Sequence, residues 1–196
     1  MDRGIGYLRQ SQRADGSWPD TRHDMRGGDT ALATLALLTA GVPPTDRSAA
    51  AGLRALRTLN SSKTYVVGLQ TMALAMGEPQ RDKRRITELA DRIAKGQYSR
   101  GRWQGMWGYD LRRPRRADNS NTQFALLGLK AAADVGVKIS QRVWKRSLNH
   151  WTTNQGRNGG WGYTGRGDRG IKRNLAAVTV NRDFRVGAAG RCTARR

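Results

Sequence analysis

The sequence predicts an all-α protein built as two alternating layers of helices, on three observations. Segments apolar almost all round, at 31–40, 64–76 and 122 to about 135, alternate with segments that are apolar on one face only. The first kind must be buried on most of its surface, and the second kind can cover it while showing a charged face to water. Between them stand strong breakers, Gly41-Val42-Pro43-Pro44, Asn60-Ser61-Ser62 and the Gly77 to Pro79 region. Finally, the spacing Gln, three residues, Gly, one residue, Trp recurs at Gln12/Gly16/Trp18, Gln97/Gly101/Trp103 and Gln155/Gly159/Trp161. A unit that returns every few tens of residues marks a repeat architecture, and this alternation is the logic of an α/α barrel or solenoid.

Taken in order, Ile5, Leu8 and Gln12 fall on one helical face with Arg3, Arg9 and Arg13 mostly off it, and Asp15-Gly16 supplies the turn before Trp18-Pro19. Gly27-Gly28-Asp29-Thr30 opens the first apolar helix. Thr45 is placed to cap an amphipathic helix at about 46–59, with Ala49, Leu53 and Leu56 inward and Arg47, Arg54 and Arg57 outward. The second apolar helix carries Tyr65, Leu69, Met72 and Ala73. A strongly charged helix follows, lined by Ile86, Leu89, Ala90 and Ile93, and runs into Gln97.

A long loop then holds Trp103, Trp107-Gly108-Tyr109 and the basic run 112–116. Asp118 or Asn119 can cap the third apolar helix, whose Asn121-Thr122-Gln123-Phe124-Ala125 opening resembles Asp29-Thr30-Ala31-Leu32-Ala33, and Gly136-Val137 repeats the Gly41-Val42 exit. Ser140 caps a last amphipathic helix, with Ile139 stapled onto Trp144 and with Trp144, Ser147, Leu148 and Trp151 on its inward face. The expected domain is 1–163. The tail, 164–196, breaks the pattern: it is basic, apolar only at 175–180, and reads as disordered or as the product of a truncated or shifted frame.

The first motif, Arg3-Gly4, Tyr7-Leu8, Gln12, Gly16-Ser17-Trp18, resembles the QW motif of the prenyltransferase and squalene-oxidase repeat family, which includes the squalene-hopene cyclases. The later copies are partial, with Arg92-Ile93 and His150-Trp151 at the aromatic-aliphatic pair. The resemblance implies an α/α toroid in which each motif ties an outer helix to the turn after it. A Gln amide can hold free backbone groups at the helix end, Gly permits a tight exit and Trp packs over the junction. That role is structural for Gln12, Gly16, Trp18, Gln97, Gly101, Trp103, Trp107, Gln155, Gly159 and Trp161. A closed toroid of the family takes roughly twice the seven or so helices legible here, so the expectation is an incomplete arc, part of a larger toroid or completed by another chain.

The chemistry the family would bring is missing from the sequence. There is no Asp-x-Asp-Asp motif for protonating an alkene; the acids Asp15, Asp20, Asp24 and Asp29 have another spacing, and Asp29 and Asp118 read as helix caps. The zinc site of the protein prenyltransferases has no counterpart either. Cys192 is the lone cysteine, and His23 and His150 have no ligand partner at a metal-binding interval, His150 standing for the motif's aromatic ring. No catalytic residue, metal or cofactor is therefore assigned. Tyr65 and Phe124 are the aromatic candidates for lining an apolar concavity that would take an isoprenoid or other hydrophobic ligand.

Charge gives the competing reading. Thirty-six basic residues, 29 of them arginine, against 15 acidic ones leave a net charge of +21. Such a field draws nucleic acid, an anionic surface or an acidic partner non-specifically and in a salt-sensitive way, with Arg112, Arg113, Arg115 and Arg116 as the densest contact. No nucleic-acid module accompanies it. The alternative to the ligand-binding domain is therefore a helical-repeat scaffold that binds an acidic partner or polyanion through its basic surface; the N-terminus has no apolar signal core and no run of about 18 apolar residues occurs, so a cytoplasmic location is expected for either.

Overall fold

The computed structural model describes residues 2–112 and 116–164, which fold into seven helices and a two-stranded ladder. The tail from 165 on, with Cys192, and the basic-run residues Arg113 and Arg115 lie outside the described residues. The helices are α1 (Asp2–Ser11), α2 (Gly28–Thr39), α3 (Arg47–Thr58), α4 (Thr64–Gly77), α5 (Lys83–Lys95), α6 (Asn119–Asp134) and α7 (Gln141–Thr153). A single 3-10 turn, His23–Met25, precedes α2. The strands β1 (Trp107–Gly108) and β2 (Ala117–Asp118) pair antiparallel, Trp107 opposite Asp118 and Gly108 opposite Ala117. Among the described residues no helix is long and apolar enough to cross a membrane.

The apolar helices form a row in the order α2, α4, α6, with α3 packed on α2 and α4 and α5 packed on α4 and α6. Close approach between α4 and α6 requires two glycines. A Cβ on Gly68 would stand 2.5 Å from the Phe124 carbonyl oxygen, and one on Gly128 would stand 2.9 Å from the Gly68 Cα. Leu53, Leu56, Leu74, Ile86, Leu89, Ile93 and Leu129 fill the interface between the two layers and are fully buried.

Caps set the helix boundaries. Asp118 caps α6 by accepting from Asn121 N at 2.7 Å, as one of the two sequence alternatives had it, and Ser140 caps α7. At α3 the cap is Asp46 rather than Thr45. Its carboxylate accepts from Ser48 N at 2.9 Å and Ala49 N at 3.3 Å, and a carboxylate is also the better partner for the helix dipole. Asp29 is no cap: it sits inside the first turn of α2 and binds the backbone and hydroxyl of Thr21. The repeated Gly-Val exits are the same device twice. Gly41 N and Val42 N bond back to Leu38 O and Leu37 O at 3.0 Å each, and Gly136 N and Val137 N bond back to Ala133 O and Ala132 O at 2.9 and 3.0 Å. Both glycines have positive φ, and both valines are buried against their own helix end.

One inward assignment on α7 does not hold. Leu148 is half exposed, whereas His150 is buried, because the ring finds Asn119 on α6 for its Nε2 at 2.8 Å and Asn154 for its Nδ1 at 3.3 Å. Arg57, on the outward side of the sequence pattern, turns back across the α4–α5 connection. It makes a two-pronged ion pair to the buried Asp82 at 2.7 and 2.9 Å and also pairs with Glu78.

Candidate functional site

The three Gln/Gly/Trp turns share one internal geometry, but the middle one uses different residues from those its spacing suggests. In the first, Gln12 Nε2 donates to Gly16 O and Trp18 Nε1 donates to Leu8 O, four residues before the Gln, at 3.0 and 2.8 Å. In the third, Gln155 Nε2 donates to Gly159 O at 2.8 Å, and Trp161 Nε1 donates to Trp151 O at 2.7 Å. In the second, the partners of Gln97 are Gly105 and Trp107: Nε2 reaches Gly105 O at 3.3 Å and Trp107 Nε1 reaches Ile93 O at 2.6 Å. Gly101 and Trp103 belong to a four-residue insertion that is pinched off by bonds between Tyr98 and Gly105–Met106. Trp103 lies against Tyr98 with Arg102 over its ring, outside the joint. Trp107 is fully buried, so the packing position rewards that tryptophan.

Each turn also holds its neighbours. Trp18 N donates to Thr30 Oγ1 at 3.0 Å and Trp107 N to Thr122 Oγ1 at 3.1 Å, which explains why the openings of α2 and α6 look alike. The Trp-Gly-Tyr segments reach back to the preceding inner helix. Tyr109 O accepts from Thr64 N at 3.0 Å, and Tyr163 O accepts from Asn119 N at 2.9 Å. In the first two turns the Gln amide reaches forward as well, to Ser48 O of α3 and to Val143 O of α7, both at 3.0 Å. There the turn glycine lies flush on the next outer helix: a Cβ on Gly16 would be 2.5 Å from Ala51 O, and one on Gly105 would be 2.2 Å from Arg146 O. The third turn differs. Among the described residues no helix covers Gln155 or Gly159, and both are exposed.

The inner helices present a shared face on the side away from the outer ones. On α2 the exposed stripe is Leu32, Ala36 and Thr39, opposite Thr34, which is fully buried. Thr39 Oγ1 touches Met76 Sδ at 3.7 Å, joining this stripe to Tyr65, Met72 and Met76 of α4. At the other end Tyr65 packs on Phe124 of α6 with ring centroids 4.4 Å apart, and Leu127 continues the surface. The structure therefore brings the two aromatic candidates together as a half-buried pair. Two residues that sequence reasoning left out of the lining complete the cluster: Tyr109, 6.3 Å from Tyr65, and Tyr163, whose hydroxyl is 2.7 Å from that of Tyr109. Their signal was the repeated Trp-Gly-Tyr. Burial pushes the Tyr65 phenol up, and the Tyr163 hydroxyl followed by burial pushes Tyr109 up further. The Tyr65 and Tyr109 phenols stay neutral at ordinary pH, which suits an apolar ligand with at most one polar group.

The acids near the first turn are each occupied within their loop. Asp15 holds Ser17, Asp20 holds Gly27 N at 2.8 Å, and Asp24 pairs with the exposed Arg22. Among the described residues no three His, Cys, Asp or Glu side chains gather into a metal-binding group. His23 is exposed, and His150 is held neutral, its pKa lowered to about 4 by burial. Arg112 and Arg116, the described members of the basic run, are both exposed. Comparison with family models, with curated proteins and with solved structures finds no match for this chain.

Proposed function

We propose that the chain is a helical repeat domain of the squalene cyclase and prenyltransferase repeat type. In this reading it is an arc of an α/α toroid without the catalytic acid, and it holds a hydrophobic ligand of the isoprenoid class against the inner face of α2, α4 and α6. The observation that carries the ligand is the stripe from Leu32 through Met76 to Leu127, with those three residues 52%, 51% and 39% exposed on the three inner helices. A contiguous exposed apolar surface rimmed by polar groups marks a binding face. The arc is supported by the third turn, which has the internal bonds of the other two but, among the described residues, no outer helix to grip. The rest of a larger ring, or a second chain, would supply that helix.

The test is titration with squalene delivered from cyclodextrin, read by intrinsic fluorescence. Leu127→Asp and Met76→Asp are expected to weaken binding about tenfold or more, since each places an unpaired charge in the apolar contact, while Leu148→Asp, on the exposed side of α7, leaves it unchanged. Equal affinity in all four proteins would sink the proposal. The charge supports a second reading, a scaffold that binds an acidic partner through its basic surface. It differs in one observable: its affinity falls steeply with salt, whereas apolar binding does not.

A further inference from the structure

No bond of the middle joint runs through its four-residue insertion, which is closed at the base and presents side chains at the tip. Tyr98 N donates to Met106 O at 3.0 Å, Gly105 N to Tyr98 O at 2.9 Å, and Gln104 Nε2 braces the loop on Ser99 O at 2.9 Å. Arg100 and Arg102 are exposed there. The Arg102 guanidinium lies over the Trp103 ring, 5.0 Å from its centroid, and Trp103 packs edge-on against Tyr98 at 5.4 Å. An arginine backed by an aromatic ring has less freedom to lose when it meets a ligand.

The surroundings of the tip are cationic as well. Gln97 Nε2 donates to Val143 O and Ser147 Oγ, both at 3.0 Å, and Ser147 Oγ donates to Gly105 O at 2.7 Å, so the loop leaves the body over the first turns of α7. Those turns carry the exposed Arg142 and Lys145. The sequence has no acidic residue from 92 to 109 or from 135 to 167. Elsewhere arginines have carboxylate partners, Arg9 with Asp46 at 3.0 Å, Arg57 with Asp82 at 2.7 Å and Arg84 with Glu88 at 3.1 Å; among the described residues Arg100, Arg102, Arg142 and Lys145 have none.

We propose that the tip of this insertion binds single-stranded nucleic acid, with a base stacked on the Trp103-backed guanidinium of Arg102. Arg100 takes a phosphate beside it, and the adjoining acid-free segment of α7 offers Arg142 and Lys145 to the next ones. A guanidinium plane accepts the face of any base, and a positive surface tracks the backbone. A duplex keeps its base faces inside its own stack, and an acidic peptide has no base to lay on the plane, so neither uses what distinguishes this loop from the rest of the basic surface. The site lies apart from the inner apolar face, and its failure would leave the proposed hydrophobic ligand untouched.

Fluorescence anisotropy of the full chain with short labelled RNA and DNA single strands tests this, with the same DNA as a duplex and polyglutamate as comparators at matched ionic strength. Saturable binding is expected, tighter for single strands than for either comparator. Arg102→Lys keeps the charge and removes the plane, and Trp103→Ala removes its backing. Each should weaken single strands about fivefold or more, the scale of one stacked base, and change polyglutamate by less than about twofold. Arg100→Gln should lower the salt slope by about one, and Arg54→Gln, exposed on α3, should change single-strand affinity by less than about twofold. Urea midpoints are recorded for every variant, and Arg102→Lys, at an exposed position, decides if Trp103→Ala loses stability. Tighter binding of RNA than of DNA names RNA as the ligand; equal binding names single strands of either kind. Duplex or polyglutamate bound as tightly as the single strands, or an equal loss in Arg102→Lys and Arg54→Gln, would overturn the proposal in favour of an acidic partner or of general attraction by the +21 charge.

Discussion

Gly105 and Gly101 compete for one structural role, and replacing each by alanine separates the two registers of the middle turn. Both have positive φ, +87° and +78°, so an alanine at either site is strained by about 1 kcal/mol. What differs is the space around them. A Cβ at 101 meets nothing within 4 Å, whereas at 105 it would lie 2.2 Å from Arg146 O and 2.6 Å from the carbonyl carbon. Helix backbone does not yield as a flexible side chain would, so α7 must move away. That movement stretches the Gln97 bonds to Val143 O and the Ser147 hydroxyl, both 3.0 Å. Overpacking of this kind costs about 1–3 kcal/mol, which puts Gly105→Ala at about 2–4 kcal/mol and Gly101→Ala at about 1 kcal/mol. Urea unfolding followed by far-UV circular dichroism measures both. The tryptophans give the same contrast, with the fully buried Trp107→Ala losing about 3–5 kcal/mol and Trp103→Ala much less. If Gly101→Ala proves as damaging as Gly105→Ala, the assignment of the joint to Gly105 and Trp107 is wrong.

Three further perturbations follow from the same geometry. His150 has its folded pKa lowered to about 4 from 6.5, so the neutral ring contributes stability that is fully present above pH 6.5 and is lost as pH falls toward 4. The shift corresponds to about 3 kcal/mol, and a His150→Phe variant should lose that stretch of the pH–stability profile; a variant with the wild-type slope between pH 6.5 and 4 would refute the assignment. Asp82→Asn leaves the partly buried Arg57 fork short of its charge partner and should cost about 2–4 kcal/mol in chemical denaturation, with Arg84→Gln at the exposed Glu88 pair costing under about 1 kcal/mol. Across the motif glutamines, alanine should cost most at the buried Gln97, about 1–3 kcal/mol, less at Gln12, and least at Gln155, whose amide has no neighbouring helix to hold among the described residues; an equal loss at all three would contradict the open third turn.

The helices were legible because their periodicity is strong. Ala49, Leu53 and Leu56, or Ile86, Leu89 and Ile93, have only one face to offer, and each is buried as the pattern requires. The motif register was not, because spacing is blind to an insertion. Gln97 to Trp103 has the spacing of the other copies by coincidence, and only the Ile93 carbonyl, four residues before the glutamine, identifies the tryptophan that belongs. The partners of Arg57 and His150 were not legible for a related reason. A helical wheel places a side chain on a face but cannot show a partner from another element, Asp82 in one case and Asn119 in the other. At the inner face, Tyr65 and Phe124 could be named from apolar helices, while Tyr109 and Tyr163 sit on turns where no periodicity applies.

The central claim is that α2, α4 and α6 offer one continuous face to an apolar ligand, and environment-sensitive labels test it most directly. In a Cys192→Ser background, bimane is attached at Leu32→Cys, Met76→Cys and Leu127→Cys, with Leu148→Cys as the outward control. Addition of squalene should shift the emission of all three inner labels to the blue with one common midpoint and leave the label at 148 unmoved. Unequal midpoints, or an equal response at position 148, would contradict the account.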